Sequence, residues 1–116
     1  MKQFSVVSGR LSVVVLVALW GTGVAFGAAV DGKDIVLHGN ANGALPCAAC
    51  HGVNGAGNAS IGAPALAGVK ATVIEAYLKQ FAAGTGGNAV MQVIARALSP
   101  AEIAAVAGYF AGLPAK

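Results

Sequence analysis

The sequence predicts a small all-α domain of about three to five short helices. Three observations carry that reading. The 116 residues leave room for one domain and not two. Beyond residue 30, apolar residues return at helical spacing and never in the strict alternation of a half-buried strand. Glycine and asparagine interrupt the pattern often, so no helix runs long.

The N-terminus reads as a targeting segment. Lys2 and Arg10 precede Leu11–Trp20, which is apolar apart from Ser12, and Gly21–Ala29 is small and weakly polar. This is the order of regions in a secretory signal, with small residues suited to cleavage after Gly27 or after Ala29. Residues 1–29 are therefore expected to be a signal peptide and residues 30–116 the working domain. The rival reading is an uncleaved anchor, because Leu11–Val30 has no charge over a length that spans a bilayer. Three glycines weaken it, and the densely apolar part is only about ten residues. Either way the domain lies outside the cytoplasm, in the periplasm, and it meets a membrane only if the segment is retained.

Composition narrows the function. The chain is 57% hydrophobic and 9% charged, with a mean hydropathy of +0.75, which argues against a disordered or nucleic-acid-binding chain. The formal charge of +3 includes Lys2 and Arg10. Residues 30–116 hold five basic and four acidic side chains, too even a balance for a phosphate-binding footprint. They also hold 22 alanines and only four aromatics, Tyr77, Phe81, Tyr109 and Phe110. Alanine buries little area, so a domain this short calls for a metal, a disulfide or an apolar cofactor to complete its core.

The elements follow in order. Asp31–His38 reads as a first helix, stopped by Gly39 and Asn40. A loop over 39–45 leads to Pro46-Cys47-Ala48-Ala49-Cys50-His51, and a second loop runs from Gly52 to Gly62. Pro64–Gly68 reads as a turn. Thr72–Ala83 is the best-patterned helix, with Val73, Ile74, Tyr77, Leu78 and Phe81 on one stripe. Gly84–Asn88 reads as flexible, and Val90–Leu98 as a short apolar turn or helix. Ser99-Pro100-Ala101-Glu102 is a capping box that starts the last helix. Its buried stripe is Ile103, Val106, Ala107, Phe110 and Leu113.

Cys47-Ala48-Ala49-Cys50-His51 is C-x-x-C-H, the attachment site of c-type haem. Two thiols at this spacing each add to one vinyl group, and the adjacent imidazole then lies under the iron. A thioredoxin-like dithiol needs strands that this chain lacks. A zinc site needs a second pair of ligands, and the only other histidine is His38. The candidate sixth ligand is Met91, the one methionine besides Met1. Its rival roles are gap-filling core for Met91 itself and ligation by His38 in its place.

With these residues in view, 31–113 resembles the class I monohaem bacterial cytochromes c, most closely cytochrome c-553 and the halves of cytochrome c4. The matching pieces are Cys47–Gly52, Pro64–Gly68, Tyr77–Phe81, Asn88–Met91 and Leu98–Ile103 with Tyr109-Phe110. The resemblance implies the small class I cytochrome c fold wrapped around one covalent haem c, with iron ligands His51 and Met91. It implies thioether bonds to Cys47 and Cys50, a Pro64 carbonyl accepting the Nδ1–H of His51, Leu66 packed on the haem, and Gly32 allowing the last helix to cross near Val106 and Tyr109. Three departures stand out: Val36 where relatives often have an aromatic residue, Ala89 and Val93 where prolines often flank the methionine, and no tryptophan after Trp20. The first predicts a looser terminal-helix contact and the second a less rigid ligand segment.

The function implied is one-electron transfer between redox proteins such as a respiratory complex, an oxidase or a dehydrogenase. Contact would run through an apolar rim near Ala48, Ala49, Ile61 and the neighbours of Met91. No nucleophile or carboxylate pair suggests a catalytic site, so an enzyme is not expected. The alternative is a tightly bound or tethered cytochrome subunit of a periplasmic dehydrogenase or respiratory complex. A sensor or peroxidase-like role would need an open iron position.

Mass spectrometry of the mature protein should find an N-terminus at Ala28 or Val30. Trp20 is the only tryptophan, so that protein should lack tryptophan fluorescence. Recovery of an intact 11–30 segment in washed membranes would instead establish the anchored form.

Overall fold

The computed structural model describes residues 29–115, so all of the expected signal segment but Ala29 lies outside them. The helices are α1 (Gly32–His38), α2 (Ala48–His51), α3 (Ala71–Ala82), α4 (Ala89–Arg96) and α5 (Pro100–Ala111), with one 3₁₀ turn at Ala59–Ile61. Among the described residues there is no strand, only an isolated bridge between Asn58 and Ala63. No single described helix is long and apolar enough to cross a membrane.

Local chemistry sets the helix ends. Asp31 caps α1, its carboxylate accepting from Lys33 N at 3.0 Å and Asp34 N at 3.3 Å. The capping box at α5 forms as the sequence predicts: Ser99 Oγ accepts from Glu102 N at 3.1 Å, and Glu102 Oε1 accepts from Ser99 N at 2.8 Å. The segment read as a turn or helix over 90–98 is a helix, because Asn88 supplies a cap that starts it at Ala89. Ala97 and Leu98 lie beyond its end, and α3 begins one residue earlier than expected.

The core joins Ile35 and Val36 of α1, Ile74 and Leu78 of α3, Ile94 and Ala95 of α4, and Ile103, Val106, Ala107 and Phe110 of α5. Val36 and Phe110 are its largest fully buried side chains. The looser contact expected from Val36 is therefore not what forms. Gly32 explains this: a methyl group there would fall on the Ala105 carbonyl of α5. Two backbones in such close approach bring the β-branched Val36 deep enough to fill the crossing without an aromatic ring. The crossing involves Ala105 and Val106, and the predicted stripe of α5 is buried from Ile103 to Phe110, with Leu113 half-buried past the helix end.

The stripe of α3 is only half buried. Ile74 and Leu78 face the core, whereas Val73 and Tyr77 are 41% and 57% exposed. The reason is that Val73, Tyr77 and Phe81 line a cavity rather than another helix.

One residue read as a simple helix stop has a larger role. Asn40 Nδ2 donates to Ala97 O at 2.7 Å and Glu102 Oε1 at 3.0 Å, while its Oδ1 accepts from Asn42 N at 3.0 Å and Ala44 N at 2.9 Å. Both amide protons and the carbonyl are thus engaged, tying the loop after α1 to the end of α4 and the start of α5.

Two glycine substitutions should act in opposite directions. Gly32→Ala forces α1 from α5 and should cost about 2–3 kcal/mol of stability in denaturant titrations. Gly108→Ala meets no atom within 4 Å. On the exposed side of α5 it should add about 0.5–1 kcal/mol.

Candidate functional site

The site begins with a single helical turn. Cys47 accepts at its carbonyl from His51 N at 2.9 Å, which winds Cys47–His51 into α2. In that turn Cys47 and Cys50, three apart, lie on the same side. Cys50 is exposed and Cys47 half-buried, and the two are not bonded to each other. Burial pushes the Cys47 thiol above its ordinary range, with a backbone hydrogen bond opposing it.

His51 is the one buried polar or charged side chain among the described residues, at 8% exposure. Its Nδ1 lies 2.8 Å from Pro64 O. A carbonyl only accepts, so the ring proton is on Nδ1 and the lone pair is on Nε2. Nε2 has no hydrogen-bond partner among the described residues.

The backbone that carries Pro64 is held just as closely. Gly55 O accepts from Leu66 N at 2.8 Å and Ala67 N at 3.0 Å, Gly57 N donates to His51 O at 2.8 Å, and Asn58 and Ala63 exchange bonds of 2.7 and 3.0 Å. Gly57 has a φ of +80°, and a methyl group there would lie 2.7 Å from Ala65 N. Only glycine lets the 52–62 loop pass this close to the Pro64 segment.

His51 and Met91 both line an apolar cavity with two adjoining lobes, of about 420 and 360 Å³. Pro64, Leu66, Ile74, Leu78 and Asn88 also border both lobes. Cys47 and Cys50 line the second, together with Leu45, Ile61, Val106 and Phe110. No Asp, Glu, Lys or Arg lines either lobe.

Met91 does not sit in a loop. It is in the first turn of α4, its backbone N–H donating to Asn88 Oδ1 at 2.9 Å. Its side chain packs against the core. Where the prolines are missing, the segment is a capped helix start. His38 ends α1 with 70% of its side chain exposed, its Nδ1 2.9 Å from Asp34 Oδ1, and it lines neither lobe.

The sequence residues therefore assemble as one constellation, apart from His38 and Ala48, which line neither lobe. Two supports were missed. Asn88 had a readable signal, a capping residue before an apolar run. Gly57 had none, since the backbone it meets, Ala63 to Ala65, comes close only when the loop folds back. A buried imidazole with an unpartnered nitrogen, an apolar slot shared with a thioether and two thiols at one lobe fit an iron porphyrin attached through cysteine.

The comparisons with known proteins agree. The family profile described as Cytochrome c matches residues 30–114. The thiosulfate dehydrogenase electron acceptor of Stutzerimonas stutzeri (strain A1501) is 43% identical over 88 residues, covering 75% of this chain and 41% of that protein. The reduced cytochrome c4 of Pseudomonas stutzeri superposes with a TM-score of 0.67 at 32% identity, covering 72% of this chain and 46% of the other. A thiosulfate dehydrogenase structure from Marichromatium purpuratum superposes at 0.69 and 36% identity, covering 73% of this chain and 18% of that one. The chain thus spans less than half the length of each of these relatives. A family profile that runs the length of the described domain, with a c4-like class I fold beneath it, leaves one conclusion: this chain belongs to the cytochrome c family.

Proposed function

We propose that this protein is an exported one-electron carrier. In this reading a single haem c is bound through thioethers to Cys47 and Cys50, with its iron held between His51 Nε2 and the Met91 sulfur. The observation that carries it is His51: buried, with Nδ1 committed to Pro64 O at 2.8 Å, and bordering the same apolar cavity as Met91.

A haem in this slot supplies one-electron chemistry between Fe(II) and Fe(III). The residues around it set how that chemistry is used. The Pro64 carbonyl fixes the His51 ring and strengthens Nε2 as a donor. The Met91 thioether is soft and neutral, which favours the reduced metal and a raised potential. His51 and Met91 together would leave the iron no open position for a substrate, which supports a carrier rather than an enzyme. Leu66, Ile74 and Leu78 keep water from the slot, and in that low-dielectric setting a change of charge is costly to leave uncompensated.

The partners are other redox proteins. Relatives named as electron acceptors of thiosulfate dehydrogenase support a dehydrogenase as donor; the acceptor in this reading is another redox protein, an oxidase or respiratory complex. The rim of the Cys47/Cys50 lobe supports contact through an uncharged face: Leu45, Ile61 and Val90 are 58%, 56% and 58% exposed, and Val93, one turn along α4 from Val90, is 62% exposed. Such encounters are small and short-lived. A second reading is a permanent subunit, favoured by the match that covers only 18% of a thiosulfate dehydrogenase chain. Native sizing of a periplasmic extract separates the two: a carrier runs at its own mass.

Haem staining should survive a denaturing gel, and acid acetone should extract no haem. The oxidised protein should show a weak sulfur-to-iron band in the far red. Met91→Ala should abolish that band, lower the potential and admit cyanide or CO. Rapid CO binding by the wild-type ferrous protein at neutral pH, together with no far-red band, would transfer the reading to a sensor or enzyme.

Association with the redox partner should also respond weakly to salt. Between about 10 Å and 3 Å of screening length, the second-order rate should change by less than about threefold, because no charged side chain lines the slot beside that rim. A steep fall with ionic strength would place the contact on the lysine-bearing surface instead.

A further inference from the structure

Met91 lies in the first turn of a helix only eight residues long. An isolated helix of this length is marginal, and its first N–H groups have no partner within the helix. Three glycines, Gly84, Gly86 and Gly87, precede it, and no proline stiffens the approach. The second turn is anchored by Ile94 and Ala95, both buried. The first turn has no buried residue and is held by two side-chain clamps on either side of Met91. Asn88 Oδ1 accepts the Met91 N–H at 2.9 Å. Gln92 Nε2 donates to Gly84 O and Thr85 O, each at 3.3 Å, and Thr85 is in turn fastened to Gln80 O through its N–H at 3.0 Å and its hydroxyl at 2.8 Å.

We propose that Asn88 is a positioning residue for the iron: its cap on the Met91 N–H decides whether the Met91 sulfur is presented to the slot. This rests on the reading of Met91 as the sixth ligand. The cap acts on the ligand itself because the N–H it satisfies belongs to the residue that carries the sulfur. When the cap is lost, the first turn frays while Ile94 and Ala95 keep the second in place. The change therefore shows as ligand exchange at the iron rather than as unfolding of α4. Gln92 acts in the same direction and more weakly, since its bonds are long and fall on the loop rather than on Met91.

The test uses ferric holoprotein and imidazole, a neutral probe that binds only when Met91 leaves. Asn88→Ala should raise the apparent imidazole affinity about fivefold, the scale on which loss of a helix cap shifts a local equilibrium. It should also weaken the far-red band, with far-UV helicity and denaturation midpoint recorded alongside to verify a folded protein. Asn88→Ser and Asn88→Thr keep a neutral capping oxygen and should recover most of the wild-type behaviour in both readouts. Gln92→Ala should fall between. An unchanged affinity and band in Asn88→Ala overturn the proposal. So do Asn88→Ser and Asn88→Thr proteins that both behave like Asn88→Ala, since that assigns the effect to the amide donor and not to the cap. Absence of the far-red band from wild type is a different result, which removes Met91 as ligand before any variant is compared.

Discussion

The hydrogen bond from His51 Nδ1 to the Pro64 carbonyl is the constraint on which the rest of the molecule depends. It fixes the tautomer of the imidazole and points the remaining nitrogen into the slot. It also joins the single turn of α2 directly to the turn at 64–68, which the loop between them links only through Gly55 and Gly57. Everything between them must then fold back within a short distance. That is why the intervening loop closes on itself through Asn58 and Ala63, and why the backbone passes Pro64 at a residue without a side chain. From the far side of the turn, Gly68 N donates to Phe110 O at 2.9 Å, so the same constraint reaches the end of α5 and the core.

The two sides of the slot are secured by different means. The histidine side is backbone-rich, with carbonyls and N–H groups of residues 51–67 bonded to one another. The methionine side depends on side chains: the amide of Asn88, the amide of Gln92 and the hydroxyl of Thr85. Backbone bonds survive most substitutions, whereas a side-chain clamp is lost with one. Variation in this protein's chemistry is therefore most accessible on the methionine side, where one residue can be exchanged without disturbing the fold.

Much of this was legible in the sequence because it is encoded locally. The C-x-x-C-H turn, the Ser99–Glu102 capping box, the stripe of α5 and the ends of α1 are all set by residues within a few positions of one another. What escaped reading is long-range. Two of the four bonds of Asn40 reach across the chain to Ala97 and Glu102, and the need for glycine at position 57 arises from the backbone of Ala63 to Ala65 on the far side of the loop. The half-buried stripe of α3 misled for a related reason. Periodicity reports that a helix face is apolar, but not whether it meets a second helix or a prosthetic group. The helix that carries Met91 is legible as a short apolar segment, and Asn88 just before it is the local signal that settles helix over turn.

The crossing of α1 and α5 at Gly32 has a consequence for how the molecule comes to be. It closes nearly the whole described chain into one loop, and the entropy of that closure must be met before the contact returns any stability. Short helices such as α2 form and dissolve far faster than distant segments find each other. The meeting of the two ends is the contact that topology makes slowest, and until it happens the segment just after α1, where Cys47 and Cys50 lie, is open to solvent and to any machinery that acts on thiols. Topology gives this protein a period of vulnerability in the one place where it needs to be chemically altered.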